Sequence, residues 1–131
     1  MPCGVVDRQK CHILLADDHP LVRQGLREIV EEYEDLEVVG EAADGLQAVN
    51  LTALYQPDVV LMDVNMPTMD GIQATSRIKR DYPCIVVIGI SAHVDRYKQE
   101  AILRAGAVTL LPKETASDQL YPAIHSALGN A

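Results

Sequence analysis

Positive charge is in short supply: 11 Lys and Arg stand against 19 Asp and Glu in 131 residues, a formal net charge of −8. A bulk negative field repels phosphate backbones and anionic membranes, so direct binding of nucleic acid or a membrane surface by this chain is not expected. Cysteine is scarce too. Cys3, Cys11 and Cys84 are odd in number, no pair has CxxC spacing, and no histidines sit at ligand spacing near them. That pattern argues against a disulfide framework or a zinc site and predicts reduced thiols in a cytoplasmic protein. Long apolar runs are missing: none approaches about 18 residues, the length a membrane-spanning helix needs. The N-terminus lacks a charged start followed by an apolar stretch, so no signal peptide is expected. What remains is a globular composition, 48% hydrophobic and 23% charged, of a length that suits one domain.

The hydrophobic pattern switches period repeatedly along the chain. Met1 to Lys10 shows no period and reads as a tail or linker, leaving residues 11–131 as the domain. His12 to Ala16 is a short apolar run stopped by Asp17, Asp18, His19 and Pro20, as suits a buried strand. From Leu21 the residues Val22, Leu26, Ile29, Val30 and Tyr33 recur at helical spacing, with Arg23, Arg27, Glu31 and Glu32 on the other face. The alternation then repeats. Strands are expected at Glu37 to Ala43, Val59 to Met62, Ile85 to Ile90 and Val108 to Leu111. Helices are expected at Leu46 to Leu54, Gly71 to Arg80, residues 96–105 and Thr115 to Leu128, the last with Thr115 and Asp118 spaced like a capping box. Continuous apolar strands alternating with amphipathic helices predict an α/β fold, a parallel sheet covered on both faces. In such a sheet the functional crevice lies beyond the carboxyl ends of the strands.

Five polar residues fall at those ends: Asp17 and Asp18 after the first strand, Asp63 after the third, Ser91 after the fourth and Lys113 near the end of the fifth. Each has an ordinary role open to it. Asp18 is a favoured residue for capping the first helix, Asp63 could be a turn aspartate, and Ser91 and Lys113 could be surface residues. Their coincidence at one sheet edge carries a sharper reading. Three carboxylates at close range repel and would not all stay ionised without a cation, and a hard divalent ion such as Mg²⁺ accepts carboxylate and phosphate oxygens. A carboxylate can also act as nucleophile and form an aspartyl phosphate, whose oxygens a lysine neutralises and a serine hydroxyl hydrogen-bonds.

Leu14-Leu15-Ala16-Asp17-Asp18-His19-Pro20, the run from Leu61 through Asp63 and Asn65 to Pro67, Asp70-Gly71, Ser91-Ala92, Ala105-Gly106-Ala107 and Lys113 together resemble the receiver domains of bacterial two-component systems. The resemblance covers roughly His12 to Leu128. It implies a flavodoxin-like, doubly wound (βα)5 fold whose five-stranded parallel sheet has the order 2-1-3-4-5. It implies that Asp63 is the phosphoacceptor. Asp18 and Asp63 would bind Mg²⁺ through side chains, Asn65 through its backbone carbonyl and Asp17 through water. Ser91 would turn toward the phosphoryl group, Lys113 would pair with it, Gly71 would open the third helix and Pro67 would hold the loop before it. The implied partners are a histidine kinase or phosphotransfer protein as donor, an output domain or partner protein, and a second copy of the chain on phosphorylation. The domain would be a switch and no enzyme acting on outside substrates.

Two positions depart from many relatives. Leu110 stands where an aromatic often swings between exposed and buried positions, and Pro112 precedes Lys113 where a proline often follows, so no cis Lys113–Glu114 bond is expected. His19 reads as a helix-end or solvent-facing residue, with a metal-ligand role as the alternative. His93, two past Ser91, could modulate phosphoryl lifetime or simply be exposed. A phosphohydrolase with an aspartyl nucleophile usually needs a second acid two residues on, and Asn65 occupies that place. The Asp17 to Leu26 stretch resembles receivers attached to LuxR-type helix-turn-helix domains, although no basic recognition helix is present here. Parent proteins of three kinds fit: a hybrid histidine kinase ending in a receiver, which the preamble, the Val87 to Ser91 stretch and the end after the last helix favour somewhat; a LuxR-type regulator; and a free-standing receiver.

Overall fold

All five apolar runs become strands of a single parallel sheet in the computed structural model, which describes residues 10–129. The elements are β1 (Cys11–Ala16), α1 (Pro20–Glu31), β2 (Leu36–Ala42), α2 (Gly45–Tyr55), β3 (Val59–Asp63), α3 (Gly71–Asp81), β4 (Val86–Ser91), α4 (Arg96–Ala105), β5 (Thr109–Pro112) and α5 (Ala116–Ala127), with a 3-10 turn at Lys113–Thr115. The strand order is β2-β1-β3-β4-β5, as expected. The expected tail, residues 1–10, lies outside the described residues except for Lys10.

Because successive strand side chains point to opposite faces, each apolar run divides between two cores. Ile13, Leu15, Val59, Leu61, Ile88, Ile90 and Leu111 pack under α1 and α5 against Leu26, Val30, Leu120 and Ile124. Leu14, Ala16, Val60, Met62, Val87 and Leu110 pack under α2, α3 and α4 against Ala48, Ala74, Ile78 and Ile102. Each large side chain so buried contributes about 1.5–3 kcal/mol relative to exposure. The edge strand β2 carries a bulge opposite the Ile13/Leu14 step, where Val39 is the extra residue.

Aspartates start three of the helices. Asp44, Asp70 and Asp95 accept hydrogen bonds from the backbone N–H of Gln47, Gln73 and Lys98, and Gln73 completes a capping box with Asp70. The expected box at Thr115 and Asp118 does not form. Thr115 is the last residue of the 3-10 turn, at φ −111° and ψ 13° and not in the extended backbone a cap needs, and its hydroxyl lies 3.0 Å from Gln119 Oε1 instead. Asp18 caps nothing either: His19 holds the N-cap position of α1, without a side-chain cap bond. Pro122 interrupts α5 on its exposed side, a feature the helical pattern concealed. Cys84, exposed before β4, is disulfide-bonded, which corrects the expectation of three reduced thiols; spacing along the chain says nothing of cysteines brought together by folding.

Glycine is demanded at the start of α3. A Cβ on Gly71 would lie 2.0 Å from the Asp63 carbonyl oxygen, so the first turn of the helix presses directly on the end of β3. The Gly71 N–H also donates to the Val64 carbonyl at 2.8 Å. This close approach sets where the last residue of β3 points.

Candidate functional site

Parallel strands that stop at one edge deliver their last side chains to the same place. Asp63 is the final residue of β3, Ser91 the final residue of β4, Asp17 the first residue past β1 and Lys113 the first past β5. Asp17 and Ser91 are fully buried and Asp63 is 2% exposed, so the surrounding protein covers the center of the cluster. The backbone of Asp17 is still tied to the sheet, its N–H donating to the Ala42 carbonyl of β2 at 3.0 Å.

Lys113 joins the carboxylates. Its Nζ lies 2.8 Å from Asp17 Oδ2 and 3.2 Å from Asp63 Oδ2. The other oxygens take backbone donors: Asp63 Oδ1 accepts from the Asn65 N–H at 3.2 Å, and Asp17 Oδ1 from the His19 N–H at 2.8 Å. Asp17 Oδ2 and Asp18 Oδ1 are buried and accept no well-formed hydrogen bond; the first has the Lys113 ammonium against it, the second only the exposed His19 ring, with Nδ1 at 3.1 Å. One ligand atom from each of Asp17, Asp18, His19 and Asp63 falls within 4.8 Å of the others.

The electrostatics follow from this crowding. Burial and the neighbouring Asp17 carboxylate push the Asp63 pKa up to about 6, against the pull of Lys113 and the Asn65 N–H. Burial penalises the Lys113 ammonium, but the two carboxylates outweigh it and hold its pKa above the ordinary lysine value. One ammonium cannot balance three carboxylates. A hard divalent cation would supply the missing charge, and Asp18 Oδ1, which accepts no hydrogen bond, would offer it an oxygen. The donor set therefore fits Mg²⁺.

The structure thus brings together Asp17, Asp18, Asp63 and Lys113. Ser91 reaches the same edge, but its hydroxyl donates to the His93 carbonyl at 2.7 Å and so faces its own loop. Asn65 is exposed beside Asp63, and His93 is exposed. Leu110 is 5% exposed, packed over Gly89 with Ile102. The Lys113–Glu114 peptide is trans. Sequence reasoning missed Arg23, which the helical period places on the solvent face. Its side chain leans back one turn, as helical side chains do, and its Nη1 donates to the Asp17 carbonyl at 2.5 Å. That lean was the available signal.

Comparison with known proteins comes to the same place. A family model described as the response regulator receiver domain matches residues 13–125. The transcriptional regulatory protein DegU of Brevibacillus brevis is 39% identical over 91% of this chain and 50% of its own length. A two-component response regulator of the LuxR family from Aurantimonas superposes with a TM-score of 0.86 at 32% identity, over 92% of this chain and 86% of that one. CheY of Borrelia burgdorferi, solved in complex with CheX, BeF3 and Mg²⁺, superposes with a TM-score of 0.82 at 29% identity, over 88% of this chain and 87% of that one. The chain spans about half the length of the curated relatives it matches.

Proposed function

The chain belongs to the response regulator receiver domain family, with LuxR-type regulators among its relatives, and from that premise we propose that it is switched by a phosphoryl group accepted on Asp63. The observation that carries this reading is the setting of Asp63: a buried carboxylate at the end of β3, facing Lys113 Nζ at 3.2 Å and beside the unsatisfied Asp18 oxygen. With a pKa of about 6 the group is largely ionised at neutral pH and able to attack. One Asp63 oxygen forms a bond to phosphorus while the donor's bond to phosphorus breaks, the donor leaving with the electron pair. Lys113, already between the two carboxylates, neutralises charge that the phosphoryl oxygens bring. Asp18 and Asp63 side chains and the Asn65 carbonyl would hold Mg²⁺, with Asp17 reaching it through water; the bound ion supplies charge neutralisation for the incoming phosphoryl group. Ser91, released from His93, would hydrogen-bond that group.

The donor in this reading is a histidine kinase or phosphotransfer protein, and the readout is a shift between two states of the β4–α4 and β5–α5 region. The relatives favour a LuxR-type parent over the hybrid kinase that the sequence favoured. Position 65 offers no second acid for turnover of outside substrates. Among the described residues no helix is long and apolar enough to cross a membrane.

Incubation with acetyl phosphate and Mg²⁺ is expected to add one phosphoryl group to the unmodified chain and none to Asp63→Asn, read by intact mass. Equal addition to both would remove Asp63 from the role. Mg²⁺ binding, followed by amide shifts, is expected to weaken more in Asp18→Asn than in Asp17→Asn. Both Asp17 oxygens lie against donors, Oδ1 on the His19 N–H and Oδ2 on the Lys113 ammonium, whereas Asp18 Oδ1 has only the exposed His19 ring beside it. Loss of an indirect partner costs about tenfold or more in metal affinity, so the Asp18 variant should exceed that. A larger loss in Asp17→Asn would reverse the two roles.

A further inference from the structure

We infer that Arg23 is a positioning residue for the acidic cluster: its guanidinium, anchored on Glu41, holds the backbone of Asp17 so that Asp17 and Asp18 present their carboxylates to a divalent cation. This rests on the phosphoacceptor reading above and adds a residue that lies outside the ligand set.

The β1–α1 loop has unusual needs. It carries two adjacent carboxylates facing a third, and it leads into a helix whose N-cap residue offers no side-chain bond. Repulsion among the carboxylates favours any loop conformation that spreads them apart. Three bonds resist this. The Asp17 N–H is held by Ala42 on β2, the Asp17 carbonyl accepts from Arg23 Nη1, and Arg23 Nε donates to Glu41 Oε1 at 2.8 Å. Glu41 sits directly opposite Leu15 in the β1–β2 pairing and is gripped on its other oxygen by Arg27. Both groups that clasp the Asp17 peptide are therefore referred to β2. The Arg23 side chain is only 19% exposed, unlike a solvated surface arginine.

Two effects of Arg23 on a bound cation have opposite signs, which makes the inference decidable. As a fixed hydrogen-bond donor it orders the loop and favours binding. As a positive charge near the site it repels a second cation and opposes binding. The guanidinium is aimed at a backbone carbonyl and neutralised by Glu41, so the ordering effect is the larger.

The test is a titration of the full chain with Mg²⁺ alone, followed by backbone amide shifts, on the unmodified protein, Arg23→Gln, Arg23→Lys and Glu41→Gln. Thermal unfolding of each in the absence of Mg²⁺ checks the fold. Arg23→Gln is expected to weaken Mg²⁺ binding by about tenfold, the low end for groups that orient metal ligands. Phosphorylation by acetyl phosphate should recover when Mg²⁺ is raised to saturation, because the phosphoacceptor itself is untouched. Glu41→Gln keeps an oxygen for Arg23 Nε but leaves the guanidinium charge uncompensated, so it should bind Mg²⁺ more weakly than the unmodified chain and more tightly than Arg23→Gln; binding weaker than in Arg23→Gln would overturn the ordering role. If Arg23→Gln does not fold, Arg23→Lys decides: it keeps the charge but cannot bridge both partners, and weaker binding is expected. Unchanged or tighter binding in a folded Arg23 variant overturns the inference while leaving the phosphoacceptor reading intact. An unmodified chain that binds no Mg²⁺ overturns both.

Discussion

Asp63→Asn is expected to stabilise the metal-free chain at pH 7 by about 2–3 kcal/mol, even as it removes the proposed phosphoacceptor. The cause is the cost of keeping this buried carboxylate ionised beside Asp17. Its folded pKa stands near 6, above the roughly 3.9 of an unfolded aspartate. A raised folded pKa means that the folded state prefers the protonated form. The stability associated with that form is fully present below about pH 4 and drains away as the pH rises through 6. By pH 7 nearly all of it is gone, and an asparagine, which never ionises, does not lose it. Urea unfolding of both proteins across pH 4 to 7.5 should show curves that converge in acid and separate toward neutrality. Mg²⁺ should narrow the gap by stabilising the aspartate form. A variant less stable than the unmodified chain at pH 7 would mean that the Lys113 ion pair outweighs burial, and this account of the site would fail.

The second large effect is at Leu110. It is buried on the α4 side of the sheet, its Cδ1 placed where a Cβ on Gly89 would come within 3.0 Å. Leu110→Ala is expected to cost about 2–5 kcal/mol through lost burial and the cavity left behind. The same substitution should leave switching largely intact in molecules that remain folded. Leu110 has no hydroxyl, so swinging it in or out makes and breaks no hydrogen bond, and little free energy attaches to its position. Ser91 holds the His93 backbone and, in the proposed switch, would exchange it for a phosphoryl oxygen. Ser91→Ala should therefore abolish most of the phosphorylation-dependent change in amide shifts at residues 92–96. A Ser91→Ala protein that switches normally beside a Leu110→Ala protein that does not would make Leu110 the lever.

The runs His12 to Ala16, Val59 to Met62 and Ile85 to Ile90 carry no polar side chain except His12, and only a strand buried on both faces has use for that. Once those strands were parallel, the residues after each had to meet at one edge, so Asp17, Asp18, Asp63 and Lys113 were legible together before any coordinate. The strand order came from the resemblance, because periodicity fixes which faces are buried but not which strands are neighbours.

Other features depend on contacts between distant segments, and local pattern does not record these. That Asp17 rather than Asp18 is bound to Lys113, leaving Asp18 Oδ1 open, follows from a turn of the β1–α1 loop and from where β5 ends. The reach of Arg23 to Asp17 and Glu41 requires β2 to lie beside β1. Thr115 lost its cap because the 3-10 turn after β5 altered its backbone, and Cys84 found a sulfur that spacing could not assign. The sequence by itself determined the alternation of strands and helices and the set of chemical groups at the sheet edge, since both are written in residue type and period. Only the tertiary structure decided which oxygen faces which cation, because that is settled by ångström-scale distances between segments that are remote along the chain.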